Sequence, residues 1–254
     1  MAIGIISAML EEVQSLINVL QNVKISEKGM RSYYEGTLNK KEVIIVFSRW
    51  GKVASAVTTT QLINDYSIDE IIFTGVAGSL NNSLRIGDII IGTNLYQHDM
   101  DTRPLFNQFE IPLLGKTYFQ TQNNTQLENA VLKFTASIES HISQENLSKF
   151  DIKKVQIRKG TILSGDQFIS TQKKVAKLKE TIPNALCVEM EGASVAQVCY
   201  EYKIPYSVIR IISDNANDDA PIDFPLFTKA IACKYAKGII ENYINDLNFL
   251  NNDR

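Results

Sequence analysis

The sequence predicts an α/β protein: a mostly parallel sheet between layers of helices, in a single domain covering residues 1–254. Three observations support this prediction. Short apolar runs typical of strands alternate with helical patterns along the whole length. The run at residues 208–213 has the composition of a strand buried on both faces, because four of its six residues are Ile or Val. With 254 residues, 44% of them hydrophobic, the chain can bury a complete core.

Periodicity and turn residues place the elements in order. The first half is predicted to contain a strand at 3–6, a helix at 10–20, a hairpin of strands 33–38 and 42–47, a helix at 53–65, strands at 70–73 and 88–92, and a helix at 126–138. The second half is predicted to contain strands at 161–163, 185–188 and 208–213, helices at 171–182, 193–202 and 226–247, and a frayed tail at 248–254. Asn39 and Lys40 are predicted to form the turn of the hairpin between strands 33–38 and 42–47. Pro183 is predicted to end the helix at 171–182.

Acidic and glycine-rich segments follow several predicted strands, at the sheet edge where α/β proteins bind ligands. They are Glu11 and Glu12, the glycine loop 74–79, the turn 164–169, the pair Glu189 and Glu191, and Asp214. The glycine spacing matches neither the dinucleotide fingerprint nor a P-loop. By itself, Asp214 is explained equally well as a turn residue or as a desolvated acid that keeps its proton near neutral pH.

Composition excludes several classes of function. A net charge of -2 and a pI near 5.8 provide no basic surface for nucleic acid or an anionic membrane. No run approaches the roughly 18 apolar residues of a membrane span, and no signal-peptide pattern is present, so we expect a cytoplasmic protein. The spacing of Cys187, Cys199 and Cys233 predicts free thiols. A metal site at His98 is disfavoured because His141 is the only other histidine. We expect no metal and no redox cofactor.

Six motifs occur together over nearly the whole chain: IGIISAMLEEV at the start, GKVASA after Trp50, TGVAGSL at 74–80, SGDQFI at 164–169, VEMEGASVA at 188–196 and ISDNA at 212–216. In this order they resemble the bacterial 5'-methylthioadenosine/S-adenosylhomocysteine nucleosidases of the purine nucleoside phosphorylase and hydrolase superfamily. The resemblance implies a three-layer α/β/α single domain around a mixed, partly barrelled sheet. It also implies hydrolysis of the N-glycosidic bond of methylthioadenosine, adenosylhomocysteine and 5'-deoxyadenosine, in methionine salvage, by a homodimer without cofactor.

The same resemblance implies roles for individual residues. Glu12 corresponds to the general base, Asp214 to the acid that protonates adenine N7, and Ser213 to the residue that orients it. The implied substrate contacts are Glu191 and Met190 at the ribose hydroxyls, Met9 beside the ribose, Phe168, Phe224 and the Ile169 main chain at the purine, and the backbone at Val76 and Gly78. From the long loop at 96–115, Phe106, Phe109 and Pro112 are implied to cover the 5' substituent in the neighbouring subunit.

The chemistry of the bond supports two separated acids. N-glycosidic cleavage passes through an oxocarbenium-like state, so one group protonates the leaving adenine while another activates water. We therefore expect Asp214 to hold its proton and Glu12 to be ionised. Glu191 is expected to accept hydrogen bonds as a charged carboxylate.

Two departures from the family pattern concern the cavity. The family often has Gly-Ile where this chain has Arg49-Trp50, and Ser and Gly where it has Val76 and Ser79. A Trp at this position is expected to narrow or cover the pocket, and the second change suggests contacts made by backbone alone.

Two other functions are considered for a chain with these motifs, and a further substrate is compatible with them. A phosphorylase of the same fold would use phosphate, but residues 7–12 offer two glutamates and no cation. A non-catalytic nucleoside-binding protein would lack Glu12 or Asp214, and both are present. Among substrates, 6-amino-6-deoxyfutalosine is also compatible with the motifs.

Overall fold

The computed structural model describes residues 2–217 and 219–252. Within them, ten strands form one mixed sheet. In chain order they are β1 (Ala2–Ser7), β2 (Gln21–Lys28), β3 (Arg31–Leu38), β4 (Lys41–Phe47), β5 (Ile68–Ser79), β6 (Ile89–Gln97), β7 (Phe119–Gln120), β8 (Ile157–Ser164), β9 (Ala185–Glu189) and β10 (Tyr206–Asp214).

Part of this sheet closes into a five-stranded barrel. Around the barrel, β10 pairs with β6, β6 with β8, β8 with β9, β9 with β5, and β5 again with β10. β5 is long enough to belong both to the barrel and to an open extension of the sheet, in which it pairs in parallel with β1. The extension continues through β4, β3 and β2. The predicted mixed, partly barrelled α/β sheet is confirmed.

The helices cover both faces of the sheet. They are α1 (Leu10–Ile17), α2 (Lys52–Asp65), α3 (Thr125–Ala136), α4 (Ile138–His141), α5 (Gln144–Lys149), α6 (Gln172–Thr181), α7 (Gly192–Tyr202), α8 (Ala220–Phe227) and α9 (Cys233–Asn252), with a π-helical turn, Thr228–Ala232, between the last two. α1, α3 and α9 pack together, whereas α2 packs on α7.

The side chains of β1 show why this arrangement has three layers. Ile3 and Ile5 join the apolar cluster that contains residues of α1, α3 and α9, whereas Ile6 joins the cluster that contains residues of α2 and α7. Successive residues of a strand point to opposite faces of the sheet. A strand that is buried at every position therefore requires helices on both sides of the sheet, as the apolar run at its centre predicts.

The sequence prediction located most elements and missed others. The hairpin at Asn39 and Lys40 is confirmed, and both residues have the positive φ that a two-residue turn of this type requires. Strand β2 was missed because six of its eight side chains are polar, and its two apolar residues, Val23 and Ile25, are exposed and form too short an alternation. The predicted glycine loop at 74–79 is wrong, since these residues are the end of β5 and pair with β10 and β9.

The C-terminal helix differs from the predicted single element at 226–247. Pro225 lies inside α8, and the π-helical turn follows directly. Proline provides no amide to the preceding turn, which favours such local changes in helical hydrogen bonding. α9 then continues to Asn252, while residues 253 and 254 of the predicted tail lie outside the described residues.

Candidate active site

A cleft of about 610 Å³ opens where the ends of β1, β5, β9 and β10 meet. Its wall combines apolar side chains with several buried acids. The lining residues are Ala8, Met9, Glu12, Trp50, Thr74, Gly75, Val76, Ala77, Gly78, Gln167, Phe168, Ile169, Val188, Glu189, Met190, Glu191, Arg210, Ser213, Asp214 and Phe224. They include every residue predicted to be catalytic or to contact substrate within one subunit.

Glu12 is held by backbone amides at the start of α1. Its Oε2 accepts from the amides of Ala8 and Met9, both at 3.0 Å, and its Oε1 accepts from the Val76 amide at 3.0 Å. The side chain is buried. Burial raises the pKa of Glu12 to about 7, against the opposing effects of Arg210 and the three amides. This pKa lies close to neutral pH, where both the protonated and the ionised forms are accessible, whereas the sequence predicts the ionised form.

Asp214 ends β10 and lies on the same rim. Ser213 Oγ donates to Asp214 Oδ2 at 2.8 Å, and the Ala216 amide donates to Oδ1 at 2.8 Å. Burial raises the pKa of Asp214, and these two hydrogen bonds offset the rise only in part. The two interpretations of this residue are thus compatible, because it both stabilises a turn and faces the cleft as a desolvated acid.

Two glycines of β5 bring both acids close to the backbone. A Cβ at Gly75 would lie 2.8 Å from Glu12 Oε1, and a Cβ at Gly78 would lie 2.9 Å from Asp214 Oδ1. Any other residue would displace the carboxylates. The glycines noted in the sequence therefore serve close packing within a strand, not a flexible loop.

Glu191 occupies the position before α7, at the floor of the cleft. Its Oε1 accepts from the Gly51 amide at 2.8 Å. Burial, reinforced by the charge of Glu189, raises the pKa of Glu191 to about 8. This direction favours the neutral form of Glu191, whereas the sequence predicts a charged acceptor.

Sequence reasoning missed an ion pair beneath the cleft. Arg210 Nη2 donates to Glu189 Oε2 at 2.7 Å, and both side chains are almost fully buried. The Gly192 amide donates to the same carboxylate, and Ser164 Oγ donates to its Oε1. The guanidinium also lies 4.0 Å from the centre of the Phe73 ring. A charged residue inside the apolar run of β10 signalled this pair, because a buried charge requires a partner.

Aromatic side chains form one wall of the cleft. The Phe224 ring makes edge contacts with Trp50, at 5.9 Å between ring centres, and with Phe168, at 5.8 Å. Trp50 remains 53% exposed while lining the cleft. The expectation that this residue narrows or covers the pocket agrees with its position, although it was not among the predicted site residues.

The three residues predicted to serve a neighbouring subunit lie away from this cleft. Phe106, Phe109 and Pro112 are absent from its described lining, and Phe109 instead packs edge-on against Tyr96 at 6.5 Å. Near them, Leu105 is 83% exposed and Leu113 is 95% exposed. Their assignment to a partner's pocket stays a prediction.

Two structural findings concern metals and membranes. Among the described residues, no group of three or more His, Cys, Asp or Glu side chains is arranged to hold a metal ion. His98 is instead packed against Gly165, and burial lowers the pKa of its imidazole. The helices in the described part of the chain are too short or too polar to cross a bilayer.

Comparisons with known proteins agree with the geometry. A sequence model of the phosphorylase superfamily matches residues 2–245. A curated 5'-methylthioadenosine/S-adenosylhomocysteine nucleosidase of Staphylococcus saprophyticus is 38% identical over 230 residues, which cover 91% of this chain and 93% of the relative. The chain belongs to this nucleosidase family, within the phosphorylase superfamily.

Solved structures of the nucleosidase family share the fold. The Colwellia psychrerythraea 34H nucleosidase, solved in complex with adenine, superposes with a TM-score of 0.82 at 31% identity, covering 96% of this chain and 95% of the other. The futalosine hydrolase of Helicobacter pylori strain 26695 gives 0.81 at 31% identity, covering 96% and 97%. The same fold thus occurs in a nucleosidase solved in complex with adenine and in a futalosine hydrolase.

Proposed function

We propose that the protein hydrolyses the N-glycosidic bond of 5'-methylthioadenosine and S-adenosylhomocysteine, and of 5'-deoxyadenosine, to adenine and the 5'-substituted ribose. One observation carries the proposal: two buried carboxyls, Glu12 and Asp214, abut Gly75 and Gly78 of the same strand. Both carboxyls also line the same cleft. Glycoside hydrolysis needs two such carboxyl groups at one site, one to protonate the leaving group and one to activate water.

Asp214 is assigned the protonation of adenine N7. Adenine is a poor leaving group as an anion, so proton donation lowers the barrier to bond cleavage. The raised pKa of Asp214 keeps the proton available, and Ser213 orients the carboxyl through its hydrogen bond to Oδ2.

Glu12 is assigned the activation of water. A general base is most effective when its pKa lies near the working pH, and the pKa of Glu12 is about 7 because burial raises it. Three amides hold the carboxylate in one orientation, so little reorganisation accompanies proton transfer. Arg210 stabilises its ionised form electrostatically.

The remaining lining residues fit an adenosine-like ligand. Glu191 is assigned the ribose hydroxyls, with Met190 and Met9 beside the sugar, and a positively polarised ribose in the transition state favours ionisation of this carboxyl. The other assigned contacts are Phe168 and Phe224 against the purine face, the Ile169 main chain at the adenine edge, and the backbone at Val76 and Gly78.

Electrostatics favour hydrolysis over phosphorolysis. A phosphate nucleophile needs a cation or free amides. The cleft contains Arg210, but its Nη2 already donates to Glu189 and its Nη1 to the carbonyl of Ile209, which leaves only the buried Nε without a partner among the described residues. Near Glu12, the amides of Ala8, Met9 and Val76 are already bound by its carboxylate.

The deciding experiment measures adenine release from methylthioadenosine in phosphate-free buffer and again with phosphate added, identifying the sugar each time. Release without phosphate, yielding free methylthioribose, is the expected result. Strictly phosphate-dependent release would reassign the chain as a phosphorylase. Absence of release in both buffers, with retained nucleoside binding, would reassign it as a non-catalytic binding protein.

A second substrate is supported by one comparison. The similarity to the Helicobacter pylori futalosine hydrolase makes 6-amino-6-deoxyfutalosine a candidate alongside the thioadenosines. Both substrates would place adenine against the same aromatic wall and differ at the 5' end. Comparing kcat/KM for the two substrates ranks them, and we expect methylthioadenosine to be preferred because the aromatic and methionine side chains make this part of the cleft apolar.

We also propose a homodimer, in which Phe106, Phe109 and Pro112 reach the neighbouring cleft. Large apolar side chains are exposed on the loop and on α2, which begins beside Trp50; they include Leu105, Leu113, Val53 and Val57. Exposed apolar clusters of this kind mark interaction surfaces. Light scattering is expected to give twice the monomer mass of 28.5 kDa. A fully active monomer would remove the proposal.

The proposed setting is the cytoplasm, in methionine salvage. The cytoplasmic location is supported by Cys187 and Cys199, which are buried free thiols, as is common where thiols are kept reduced. Fractionation of the source cells tests the location.

A further inference from the structure

Three polar residues outside the cleft lining connect the segments that build its wall. Lys52 begins α2, Asp99 follows β6, and Asp166 lies in the loop after β8. Lys52 Nζ donates to Asp99 Oδ1 at 2.6 Å, and the Asp166 amide donates to Asp99 Oδ2 at 2.9 Å. The Lys52 amide donates to Asp166 Oδ1 at 2.7 Å. These bonds close a circuit, called here the Lys52–Asp99–Asp166 ring.

On one side, the ring positions the donor to Glu191. Gly51 directly precedes Lys52 and has a φ of 95°, which favours glycine. A Cβ at Gly51 would lie 2.9 Å from Asp166 Oδ1. The Gly51 amide donates to Glu191 Oε1, and within the described residues no second hydrogen-bond donor to this carboxyl is found. Movement of the ring would therefore move the amide that orients Glu191.

On the other side, the ring positions part of the aromatic wall. Asp166 lies two residues before Phe168 and three before Ile169, and both of these line the cleft. The ring also reaches α7, because Lys52 Nζ donates to Gln97 Oε1 at 3.1 Å and Gln97 Nε2 donates to a glutamine of α7. The ring thus connects the elements on both sides of the cleft.

The Lys52–Asp99 pair of this ring is more shielded from water than a surface ion pair, whereas Asp166 is exposed. The side chains of Lys52 and Asp99 are each 17% exposed, and charge-assisted hydrogen bonds are stronger when shielded from water. The nearby pair of Arg103 and Asp101 offers a contrast, since its side chains are 55% and 42% exposed and two residues apart in the chain. An exposed local pair of this type contributes little.

We propose that Asp99 is a positioning residue, which acts through Lys52 and Asp166 to hold the Gly51 amide on Glu191 and the 166–169 segment against the cleft. Its kinetic consequence rests on the proposed nucleosidase function. Its structural consequence, a fixed position of the segment at Trp50 and Gly51, does not.

The kinetic test uses Asp99→Asn, which preserves shape but removes the charge opposite Lys52. We expect kcat/KM for methylthioadenosine to fall about 10- to 100-fold, the usual effect of misplacing a site group by about 1 Å. For the 2',3'-dideoxy analogue, which offers Glu191 no hydroxyl, the loss should be several-fold smaller. Asp101→Asn is the matched control and should leave both values unchanged. Equal losses for the two substrates, or none, would overturn the proposal.

The structural test needs no substrate. Trp50 is the only tryptophan of the chain, it directly precedes Gly51, and its fluorescence reports on this segment. Asp99→Asn should change the acrylamide quenching and anisotropy of Trp50, whereas Asp101→Asn should not.

Unchanged fluorescence in Asp99→Asn would overturn the ring's role even if the wild-type enzyme is active. Changed fluorescence with an inactive wild type would instead reject only the nucleosidase function. Lys52→Gln removes the same ion pair. If Asp99→Asn fails to fold, the kinetic and fluorescence measurements are made on Lys52→Gln instead.

Discussion

At the scale of single residues, burial does most to set the chemistry of this site. Glu12, Glu191 and Asp214 all have raised pKa values, and in each case burial is the largest cause. Local hydrogen bonds oppose the shift without cancelling it. Glu12 and Glu191 can therefore exchange protons near neutral pH, where exposed Glu would be ionised, and the pKa of Asp214 is shifted in the same direction.

The clearest residue-level prediction concerns Asp214→Asn. Asparagine can still accept the Ala216 amide, so the turn is retained, but it cannot donate an acidic proton. We expect kcat to fall by about 10²- to 10⁴-fold, with KM changing far less, because the proton is needed chiefly in the transition state. Steady-state kinetics on methylthioadenosine measure this split.

The matched control is Asp219→Asn, in the exposed turn just before α8. It removes a nearby charge without touching the cleft, and its kcat should stay within about twofold of wild type. If Asp214→Asn also turned over at a near-normal rate, Asp214 would not be the acid.

At the scale of elements, β5 organises the site. It joins the barrel to the open extension, and its last residues pair with β10 and β9. The two glycines within this segment allow a carboxyl from α1 and another from β10 to approach one strand. β5 is thus a paired strand where it meets both acids, and its pairing with β10 shifts register between Ile212 and Asp214, at the proposed acid.

Adding a single methyl group to β5 should therefore disturb catalysis. Gly75→Ala would place Cβ 2.8 Å from Glu12 Oε1, a carboxylate pinned by three amides. We expect kcat/KM to fall about 10- to 100-fold and the free energy of unfolding to fall by about 1–3 kcal/mol. Kinetics and urea unfolding measure the two effects.

Gly115→Ala serves as the control for this substitution. Apart from the adjacent residues of the chain, a Cβ at Gly115 would have no heavy atom within 4 Å, although its φ of 63° adds some backbone strain. The Gly115→Ala substitution should leave kcat/KM unchanged and should lower the free energy of unfolding only slightly. Normal kinetics for Gly75→Ala would show that Glu12 can shift without loss of function.

At the scale of the whole molecule, the buried acids link stability to pH. Their folded pKa values, about 7 for Glu12 and about 8 for Glu191, exceed the unfolded value of 4.5. Between these limits the folded state binds protons that the unfolded state has released. The free energy of unfolding therefore decreases as pH rises from about 5 towards 8, and the stabilisation of the protonated folded form is lost.

Replacing Glu12 or Glu191 by a neutral side chain of the same shape should make the stability of the folded protein depend less on pH. Gln resembles protonated Glu, so Glu191→Gln, which can still accept the Gly51 amide, is expected to match wild type in Tm near pH 5 and to exceed it by several degrees near pH 9. Glu12→Gln sets its Nε2 against a backbone amide that donates to the carboxylate, so its Tm should be lower near pH 5 but should fall less than that of wild type between pH 5 and pH 9. Differential scanning calorimetry across this range makes the measurement. Glu139→Gln, on the exposed surface of α4, should follow the wild-type curve. A parallel curve for all three variants would contradict the assigned pKa shifts.

The sequence by itself determined the fold class, the order of most elements and the acids at strand ends, because composition and periodicity act locally along the chain. Only the tertiary structure decided that residues 74–79 continue a strand, that Arg210 pairs with Glu189, and that the pKa of Glu12 lies near 7. Each of these depends on packing between segments distant in sequence. Burial and distance, which set the cost of a charge, are properties of that packing and not of the residue type.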